Sequence, residues 1–326
     1  MTLPAPFRVA IVSDLHYASP AEAARGHSML GRIRSPLRRW LVRQQRHWFW
    51  LREPWAHNHL LDRFIRAAAG AHLVVANGDY SCDSAYLGVM DEPAFQSATE
   101  CLGKLRGAFG ENLLATIGDH ELGKMMLGET EGGLRLDSYR RATGALALEP
   151  FWQRRIGRYV LIGVTSSLLA LPLYEAEALP DEWAEWCRLR EQHFSEVRRA
   201  FTDLEPSQRV LLFCHDPSAL PFLRQDEAIR ARFPQLERTI VGHLHSKWIL
   251  RQARLMSGMP RLTFLGHTPK RLSHALREAR HWKEFNLLLC PSPTGLQLFK
   301  DGGYYTADLD PHGDGPARFE FHPFAW

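Results

Sequence analysis

The residues best suited to chemistry in this sequence are carboxylates and imidazoles that directly follow short apolar runs. Asp14 and His16 follow the run FRVAIV, and Asp79 ends the segment HLVVANGD. Asp119 and His120 belong to GDHE, which follows the run NLLATI. Apolar runs of this length, bounded by turn residues, are typical of strands buried on both faces. The sequence therefore places ionisable groups at the ends of three buried strands.

Three further histidines end later apolar runs. His215 closes RVLLFCH, and GHLH supplies the other two after the run RTIV. In Asp-x-His and His-x-His, alternate residues of an extended segment project to the same side, so each pair can bind one ion. Ligands of open α/β sheets bind beyond the carboxyl ends of the strands, where these side chains would meet. We therefore predict one shared metal site that is formed by Asp14, His16, Asp79, Asp119, His215, His243 and His245.

These ligands are more numerous than one ion needs. Two divalent ions roughly 3.5 to 4 Å apart, sharing a bridging carboxylate, would use them all. The mixture of carboxylate oxygen and imidazole nitrogen favours Mn²⁺, with Fe or Zn²⁺ as alternatives, over Ca²⁺. Such a pair generates hydroxide near neutral pH and holds a phosphoryl oxygen for in-line attack. The glycines before Asp79, Asp119 and His243 leave room for sharp backbone turns.

Helix-like segments alternate with the apolar runs along the chain. This alternation predicts an α/β layered fold in a single domain, residues 1–326. The predicted strands are 7–14, 72–79, 112–119, 159–166, 209–216 and 238–243. The predicted helices are 58–70, 93–109, 134–143, 181–204 and 219–232. In residues 285–326, apolar segments separated by Pro and Gly predict short antiparallel strands.

Composition restricts the class of protein. Of the 326 residues 45% are hydrophobic, and the five cysteines include no C-x-x-C pair. Neither a disulfide framework nor a cysteine zinc site is predicted, and a reducing compartment fits. Because we find no signal peptide and no run of about 18 apolar residues, we expect a cytoplasmic protein that can also lie on the inner face of the cytoplasmic membrane. No obligate protein partner is indicated.

Other histidines are scattered along the chain, and we interpret them as surface or core residues. They include His47, His57, His59 and His193.

The ordered motifs resemble the calcineurin-like metallophosphoesterase family, whose pattern is D-x-H, G-D, G-N-H-[DE], H and G-H-x-H. The match spans residues 7–250. The resemblance implies a four-layer fold, in which a double β-sandwich is flanked by helices. His120 would approach the phosphate, where it stabilises charge or protonates the leaving oxygen. The implied ligands are Asp14, His16, Asp79 and His245 for one metal, and Asp79, as the bridge, with Asp119, His215 and His243 for the other.

Two positions depart from the family pattern. The family asparagine is Asp119 here, and its extra negative charge should tighten metal binding and weaken Lewis acidity. Many members carry an acid three positions after the bridging aspartate to orient the catalytic histidine, but Cys82 occupies that position. Asp83, one residue later, is the candidate for orienting His120. His267 in GHTP rivals the last motif, and we interpret it as a loop residue or a residue behind the ligands.

Residues 25–57 form a basic, tryptophan-rich segment inserted after the first motif. They contain eight arginines and one acid, whereas the whole chain carries a net charge of +4. Ser35 and Pro36 predict the start of a helix, and Pro54 bounds its end. One face of this helix would carry Leu37, Trp40, Leu41, Trp48 and Leu51. The residues predicted to bind substrate or membrane are Arg38, Arg39, Arg43, Arg46, Trp40 and Trp48.

Three interpretations of this inserted segment stay open. As a lid, it would bind an anionic membrane surface or an amphipathic anionic substrate. Alternatively, its apolar face packs on the domain and the arginines are a solvated outer face. Contact with nucleic acid is the least favoured of the three. Because the segment leaves directly from the D-x-H motif, we expect it to overhang the metals in each case.

The leading functional prediction is a phosphoesterase that uses metal-activated hydroxide on a phosphate ester or pyrophosphate. With its inserted segment, the chain looks like the metallophosphoesterases that cleave UDP-2,3-diacylglucosamine in lipid A synthesis, which implies a lipid-linked substrate at the membrane surface. A soluble nucleotide or nucleic-acid phosphodiesterase, whose arginines meet phosphates, is the alternative. A non-catalytic binding scaffold is disfavoured because no ligand position of the motifs is missing.

Overall fold

The computed structural model describes residues 6–26, 30–31, 33–82, 85–125, 132–260 and 267–324. Its strands are β1 (Phe7–Val12), β2 (Leu73–Ala76), β3 (Leu113–Ala115), β4 (Phe151–Ile156), β5 (Tyr159–Val164), β6 (Arg209–Cys214), β7 (Leu236–Val241), β8 (Leu287–Leu289), β9 (Gly303–Leu309) and β10 (Arg318–Pro323). Its α-helices are α1 (Pro20–Arg25), α2 (Pro36–Trp48), α3 (His59–Ala67), α4 (Glu92–Phe109), α5 (Asp119–Leu122), α6 (Leu136–Thr143), α7 (Ser166–Leu169), α8 (Trp183–Thr202), α9 (Leu220–Gln225), α10 (Glu227–Arg230), α11 (Lys247–Leu255) and α12 (His267–Glu278).

The strands form two five-stranded sheets. The first has the order β10-β9-β1-β2-β3, and the second has the order β4-β5-β6-β7-β8. Within the first sheet β1, β2 and β3 are parallel, whereas β9 and β10 are antiparallel. Within the second sheet β5 to β8 are parallel and β4 is antiparallel. Both sheets are thus mainly parallel.

Alternate residues of the central strands face two different cores. Val9 and Ile11 of β1 lie in one core with Phe213 of β6, so the two sheets pack face to face. Ala10 of β1 lies in the other core, which includes Phe64 of α3 on the outer face of the first sheet. Such two-faced burial explains why these runs are apolar without alternation. The predicted double β-sandwich flanked by helices is confirmed.

Two features of the C-terminal region differ from the prediction of antiparallel strands over 285–326. β9 and β10 are antiparallel as expected, but β8 pairs in parallel with β7. β8 follows a helical connection, and crossover connections of this kind join parallel strands. In the apolar segment 295–299, residues 297–299 form a turn and none of the five belongs to a strand. The antiparallel prediction is therefore wrong for the first part of this region.

The predicted helix 219–232 is interrupted. It divides into α9 and α10 at Asp226, whose carboxylate accepts hydrogen bonds from the backbone N–H groups of Ala228 and Ile229 at 3.0 and 3.2 Å. A side chain that caps a new helix start competes with continuation of the previous helix.

The basic helix α2 begins where predicted, with Ser35 as N-cap and Pro36 in the first turn. Four of the five residues predicted for its apolar face do not pack on the domain. Leu37, Trp40, Leu41 and Trp48 are 66%, 56%, 51% and 65% exposed, whereas Leu51, which follows the helix, is buried. Arg46 is the buried residue of the helix. The interpretation that the apolar face packs inward is therefore wrong for the four exposed residues and holds for Leu51.

The structure contains no helix, over the residues it describes, that is long and apolar enough to span a lipid bilayer.

Substitution of His193 tests the buried core of α8. Its Nε2 accepts a hydrogen bond from the Thr165 backbone N–H at 3.1 Å, and burial lowers the pKa of His193 to about 3. Below about pH 6.5 the unfolded chain binds a proton at this histidine that the folded protein does not bind. The free energy of unfolding therefore decreases as the pH is lowered, by up to about 1.4 kcal/mol per pH unit. We expect His193→Gln, which keeps an acceptor, to lose less stability in urea unfolding between about pH 7 and about pH 5. An equal loss in both proteins would contradict this.

Candidate metal centre

The structure brings all seven predicted ligands together at one edge of the two sheets. Asp14 and His16 follow β1, Asp79 follows β2, and Asp119 begins α5 just after β3. The second sheet contributes the remaining three, with His215 after β6 and His243 and His245 after β7. These positions are the carboxyl ends of parallel strands, where the sequence predicted a site. The side chains form two adjacent groups.

The first group consists of Asp14, His16 and His245, whose ligand atoms all lie within 4.8 Å of one another. His245 Nε2 is 3.3 Å from Asp14 Oδ1 and 3.1 Å from His16 Nε2. The Nδ1 atom of His16 faces the backbone carbonyls of Ser81 and Cys82 at 3.1 and 3.2 Å. A proton on Nδ1 satisfies these carbonyls and leaves the Nε2 lone pair directed into the group.

The second group consists of Asp79, Asp119, His215 and His243, again within 4.8 Å. His215 Nε2 lies 3.1 Å from Asp79 Oδ2 and 3.5 Å from Asp119 Oδ1. His243 Nδ1 lies 3.3 Å from Asp119 Oδ2. Asp79 also lies within 4.8 Å of His16 in the first group. It is therefore positioned between the two groups.

The chemistry of the second group fits a divalent cation. His215 Nδ1 lies 2.7 Å from the Asn77 carbonyl, so that nitrogen carries a proton and Nε2 faces the carboxylates. Burial opposes a charge on His215, yet Asp79 and Asp14 raise its pKa well above the ordinary value. One proton on Nε2 can bond only one of these carboxylates. A cation at this point would be bound by all of them.

Several buried ligand atoms lie close to other ligand atoms but form no hydrogen bond of acceptable geometry to any residue that the structure describes. They are Asp79 Oδ2, Asp119 Oδ1, His215 Nε2 and His243 Nδ1. Buried polar atoms are nearly always paired, so an orphaned set that points to one place indicates a binding site for an ion. Burial, reinforced by the adjacent His16 ring, holds the pKa of His245 well below its ordinary value. That imidazole is therefore neutral, as a metal ligand must be.

Five of the seven predicted ligands have left-handed backbone conformations. The φ angles are 54° for Asp14, 45° for His16, 59° for Asp79, 56° for His243 and 58° for His245. A residue other than glycine in this region costs about 1 to 3 kcal/mol, and such residues cluster at functional sites. The surrounding hydrogen bonds maintain the conformation, since the His243 N–H donates to Asp14 Oδ1 at 2.9 Å.

The glycines that precede three of the ligands are required by close packing. A Cβ atom on Gly118 would collide with Asp79 Oδ1, and one on Gly242 would collide with Asp14 Oδ2. Gly78 has a φ of 89° and leaves no room for a Cβ beside His215. The glycines therefore let neighbouring strand ends approach closely enough to share ions.

Sequence reasoning missed Glu121, the last residue of GDHE, as a positioning residue. Its Oε2 accepts hydrogen bonds from the backbone N–H groups of Gly118 and Asp79 at 2.9 and 3.1 Å, and its Oε1 accepts one from Tyr80 at 2.9 Å. Burial and the charge of Asp79 raise the pKa of Glu121 to about 7. Glu121 lies three residues after Gly118, the spacing at which the acid of a capping box accepts from the N-cap N–H, although Gly118 has no side chain to complete the box.

His120 lies beside both groups. Its Nε2 is 3.8 Å from Asp79 Oδ2, and its ring meets the His16 ring edge-on at 4.8 Å. Its backbone N–H donates to Asp79 Oδ1 at 3.0 Å.

Asp83 lies outside the described residues, so its predicted orienting role stays a prediction. His267 begins α12, whereas the GHLH histidines occupy the centre.

The inserted segment reaches the centre through a residue that the sequence did not single out. Trp50, just after α2, lies against the His245 ring with a centroid distance of 4.8 Å. The predicted residues Trp40 and Trp48 instead lie on the exposed part of α2, as do Arg38, Arg39 and Arg43. No signal beyond the aromatic content of the segment distinguished Trp50.

No protein-family model and no curated protein matches this chain. Similar solved structures include a dimetal phosphatase from Danio rerio, with 12% identity, a TM-score of 0.48 and coverage of 97% of this chain and 98% of that chain. Phosphopantetheinyl hydrolase from Mycobacterium tuberculosis has 13% identity, a TM-score of 0.32 and coverage of 74% and 84%. A conserved uncharacterised protein from Streptococcus pneumoniae, described as a predicted phosphoesterase, has 9% identity, a TM-score of 0.28 and coverage of 98% and 99%. Because these TM-scores are below 0.5, we infer the function from the geometry of the centre and not from these similarities.

Substitution of Gly242 tests whether the close packing of the strand ends is needed for metal binding. The methyl group of Gly242→Ala would displace the Asp14 carboxylate, so we expect Mn²⁺ affinity to fall by about 10-fold or more, the range seen when ligand-orienting contacts are lost. Gly103→Ala is the control, because Gly103 lies on α4 with no atom within 4 Å of an added Cβ. Calorimetric titration with Mn²⁺ measures both. Equal affinities would show that Gly242 does not shape the site.

Proposed function

We propose that the protein is a dinuclear-metal phosphoesterase. The observation that carries this proposal is the meeting of three aspartates and four histidines whose atoms lie close enough to share cations. This donor set suits Mn²⁺, Fe or Zn²⁺. When bound, two such cations act as Lewis acids that acidify water and stabilise charge on a phosphoryl oxygen. The reaction is hydrolysis of a phosphate ester or phosphoanhydride.

The residues divide between the cations as the two groups do. Asp14, His16 and His245 would hold the first cation, and Asp119, His215 and His243 would hold the second. Asp79 would serve both cations, a role supported by its position between the groups and by its Oδ2, which forms no hydrogen bond to the described residues. The hydrogen bond from the His120 N–H to Oδ1 keeps the carboxylate oriented.

His120 acts on the phosphate itself. Burial and the nearby charge of Lys124 lower the pKa of His120 to about 3, so the ring is neutral near pH 7. A neutral imidazole donates one N–H hydrogen bond, and this favours stabilisation of a phosphate oxygen over proton transfer from an imidazolium. The backbone bond to Asp79 couples the position of His120 to that of the bridging ligand.

The substrate is lipid-linked and is hydrolysed at an anionic membrane surface. Support comes from α2, where Leu37, Trp40, Leu41 and Trp48 are exposed beside arginines. Exposed apolar residues among basic ones are typical of membrane-facing surfaces. Each basic residue near anionic lipid contributes roughly 1 kcal/mol of attraction.

An aromatic cluster extends this surface toward the metal centre. Phe49 meets the rings of Trp248 and Phe299 at centroid distances of 5.5 and 6.0 Å, and the latter two rings are 41% and 42% exposed. The next residue, Trp50, contacts His245. A lipid-linked substrate whose acyl chain lies on this surface would therefore have its phosphate group directed toward the cations.

The test of substrate class compares two forms of one compound. Mn²⁺-loaded protein should hydrolyse UDP-2,3-diacylglucosamine far faster than its deacylated analogue. Similar rates on both, with affinity that falls steeply as salt increases, would favour the alternative of a soluble nucleotide or nucleic-acid phosphodiesterase, in which Arg38, Arg39 and Arg43 meet phosphates. Failure to hydrolyse any phosphoester would contradict the proposed reaction.

Substitution of His120 tests its role in catalysis. His120→Ala should keep both metals and lower turnover by about 100-fold or more, the usual scale for a residue that moves a proton or stabilises charge in the transition state. Metal content by elemental analysis and turnover of a small phosphodiester are the measurements. His312→Ala, which changes an exposed histidine, is the control. Unchanged turnover would remove His120 from the mechanism.

Substitutions on α2 test the membrane surface without disturbing Trp50. A variant with Leu37→Gln, Trp40→Gln and Trp48→Gln should lose binding to vesicles that contain anionic lipid, while its unfolding temperature stays close to that of the wild type, because these side chains are exposed. Sedimentation with vesicles measures binding.

The matched control for α2 replaces two exposed apolar residues elsewhere, as Met90→Gln and Leu179→Gln. This variant should bind vesicles like the wild type. Vesicle binding that survives the α2 substitutions would rule out the proposed surface.

A further inference from the structure

Asp119, which replaces the asparagine of the pattern that the sequence resembles, has a cationic partner. Lys124 Nζ lies 2.9 Å from Asp119 Oδ2, and the two side chains are 14% and 1% exposed. The same Oδ2 atom lies 3.3 Å from His243 Nδ1, while Oδ1 faces His215 at 3.5 Å. One carboxylate therefore contacts two predicted metal ligands and an ammonium group.

The turn after α5 directs Lys124 back toward Asp119. Gly123 has a φ of 94°, and its N–H donates to the Asp119 carbonyl at 3.0 Å. A Cβ on Gly123 would collide with the Gly133 carbonyl oxygen and lie 2.9 Å from the Gly88 N. The turn thus requires glycine and is fixed by neighbouring backbone. Lys124 is held in place by the fold and does not reach Asp119 by chance from a mobile surface position.

The charge of Lys124 matters because of the residue type at position 119. In the pattern that the sequence resembles, this position is a neutral asparagine, whereas a carboxylate adds one negative charge to the second group. An ammonium group in direct contact cancels that charge. The pair together has the net charge of the neutral amide, with one oxygen still free to bind a cation.

We propose that Asp119 and Lys124 act as one charge-compensated unit in which Lys124 is a positioning residue that sets the affinity of the second metal group. This inference rests on the proposed function, since it concerns cations that the centre would bind. Under this proposal Lys124 offsets the charge by which Asp119 was expected to tighten metal binding, an expectation that counted the carboxylate alone.

The proposal predicts how the effects of substituting Asp119 and Lys124 combine. Asp119→Asn alone leaves the Lys124 ammonium uncompensated beside the second group, so Mn²⁺ affinity should fall by about 10-fold or more. Lys124→Met alone leaves the full carboxylate charge on the second ligand group, so Mn²⁺ affinity should rise.

The double variant, Asp119→Asn with Lys124→Met, has a neutral pair at these positions. Its Mn²⁺ affinity should return to within a few-fold of that of the wild type.

The experiment is a double-mutant cycle with two readouts. Calorimetric titration gives Mn²⁺ affinity for the wild type, both single variants and the double variant. Thermal unfolding of the metal-free proteins gives a readout that does not involve metal: Lys124→Met should lower the unfolding temperature by removing the ammonium partner of a buried carboxylate, and adding Asp119→Asn should restore it.

The matched control is an exposed lysine–aspartate pair. Lys104 Nζ lies 2.8 Å from Asp62 Oδ1, with the two side chains 40% and 45% exposed. Lys104→Met should change neither Mn²⁺ affinity nor, by more than a small amount, the unfolding temperature.

Two other outcomes would overturn the inference. If Lys124 instead binds the phosphate of the substrate, Lys124→Met would raise KM equally with Asp or Asn at position 119 and leave Mn²⁺ affinity unchanged. Additive effects on Mn²⁺ affinity would likewise show that the two residues act independently. Absence of Mn²⁺ binding by the wild type would instead contradict the proposed metal centre itself, so the two failures are distinguishable.

Discussion

The structure depends on the concentration of acceptor atoms at one point, where Asp14, Asp79, Asp119 and His215 are buried. Carboxylate oxygens and imidazole nitrogens from five strand ends face each other there, and hydrogen bonds to backbone carbonyls direct the Nε2 atoms of His16 and His215 inward. Groups of this kind repel one another unless a cation lies between them. The rest of the site follows from this constraint: glycines allow the approach, Glu121 fixes the backbone, and left-handed residues aim the ligands.

Much of this arrangement could be predicted from the sequence because the relevant information is local. The apolar run before Asp79 identifies a buried strand, and the strand end identifies the edge where ligands meet. The direction of β8 could not be predicted in this way, since it depends on a partner strand, β7, about 50 residues away. Local sequence patterns also could not predict that the apolar face of α2 is exposed. An amphipathic helix has the same sequence whether its apolar side faces a core or a membrane.

The partner of Asp119 illustrates a second limit. A lone lysine five residues further on has no recognisable motif, and its contact depends on the left-handed turn at Gly123. An argument from residue types therefore assigned Asp119 an uncompensated charge, whereas the folded chain supplies the compensation. Electrostatic conclusions drawn from one substituted ligand are unsafe until its neighbours in space are known.

Each of the two ligand groups draws residues from both sheets. Asp14 and His16 come from the first sheet and His245 from the second, and the other group divides in the same manner. Two bound cations would consequently act as cross-links that fasten the halves of the sandwich at one end. Chelation should then loosen the interface between the sheets as well as remove the catalyst, so that resistance to proteolysis would report metal occupancy.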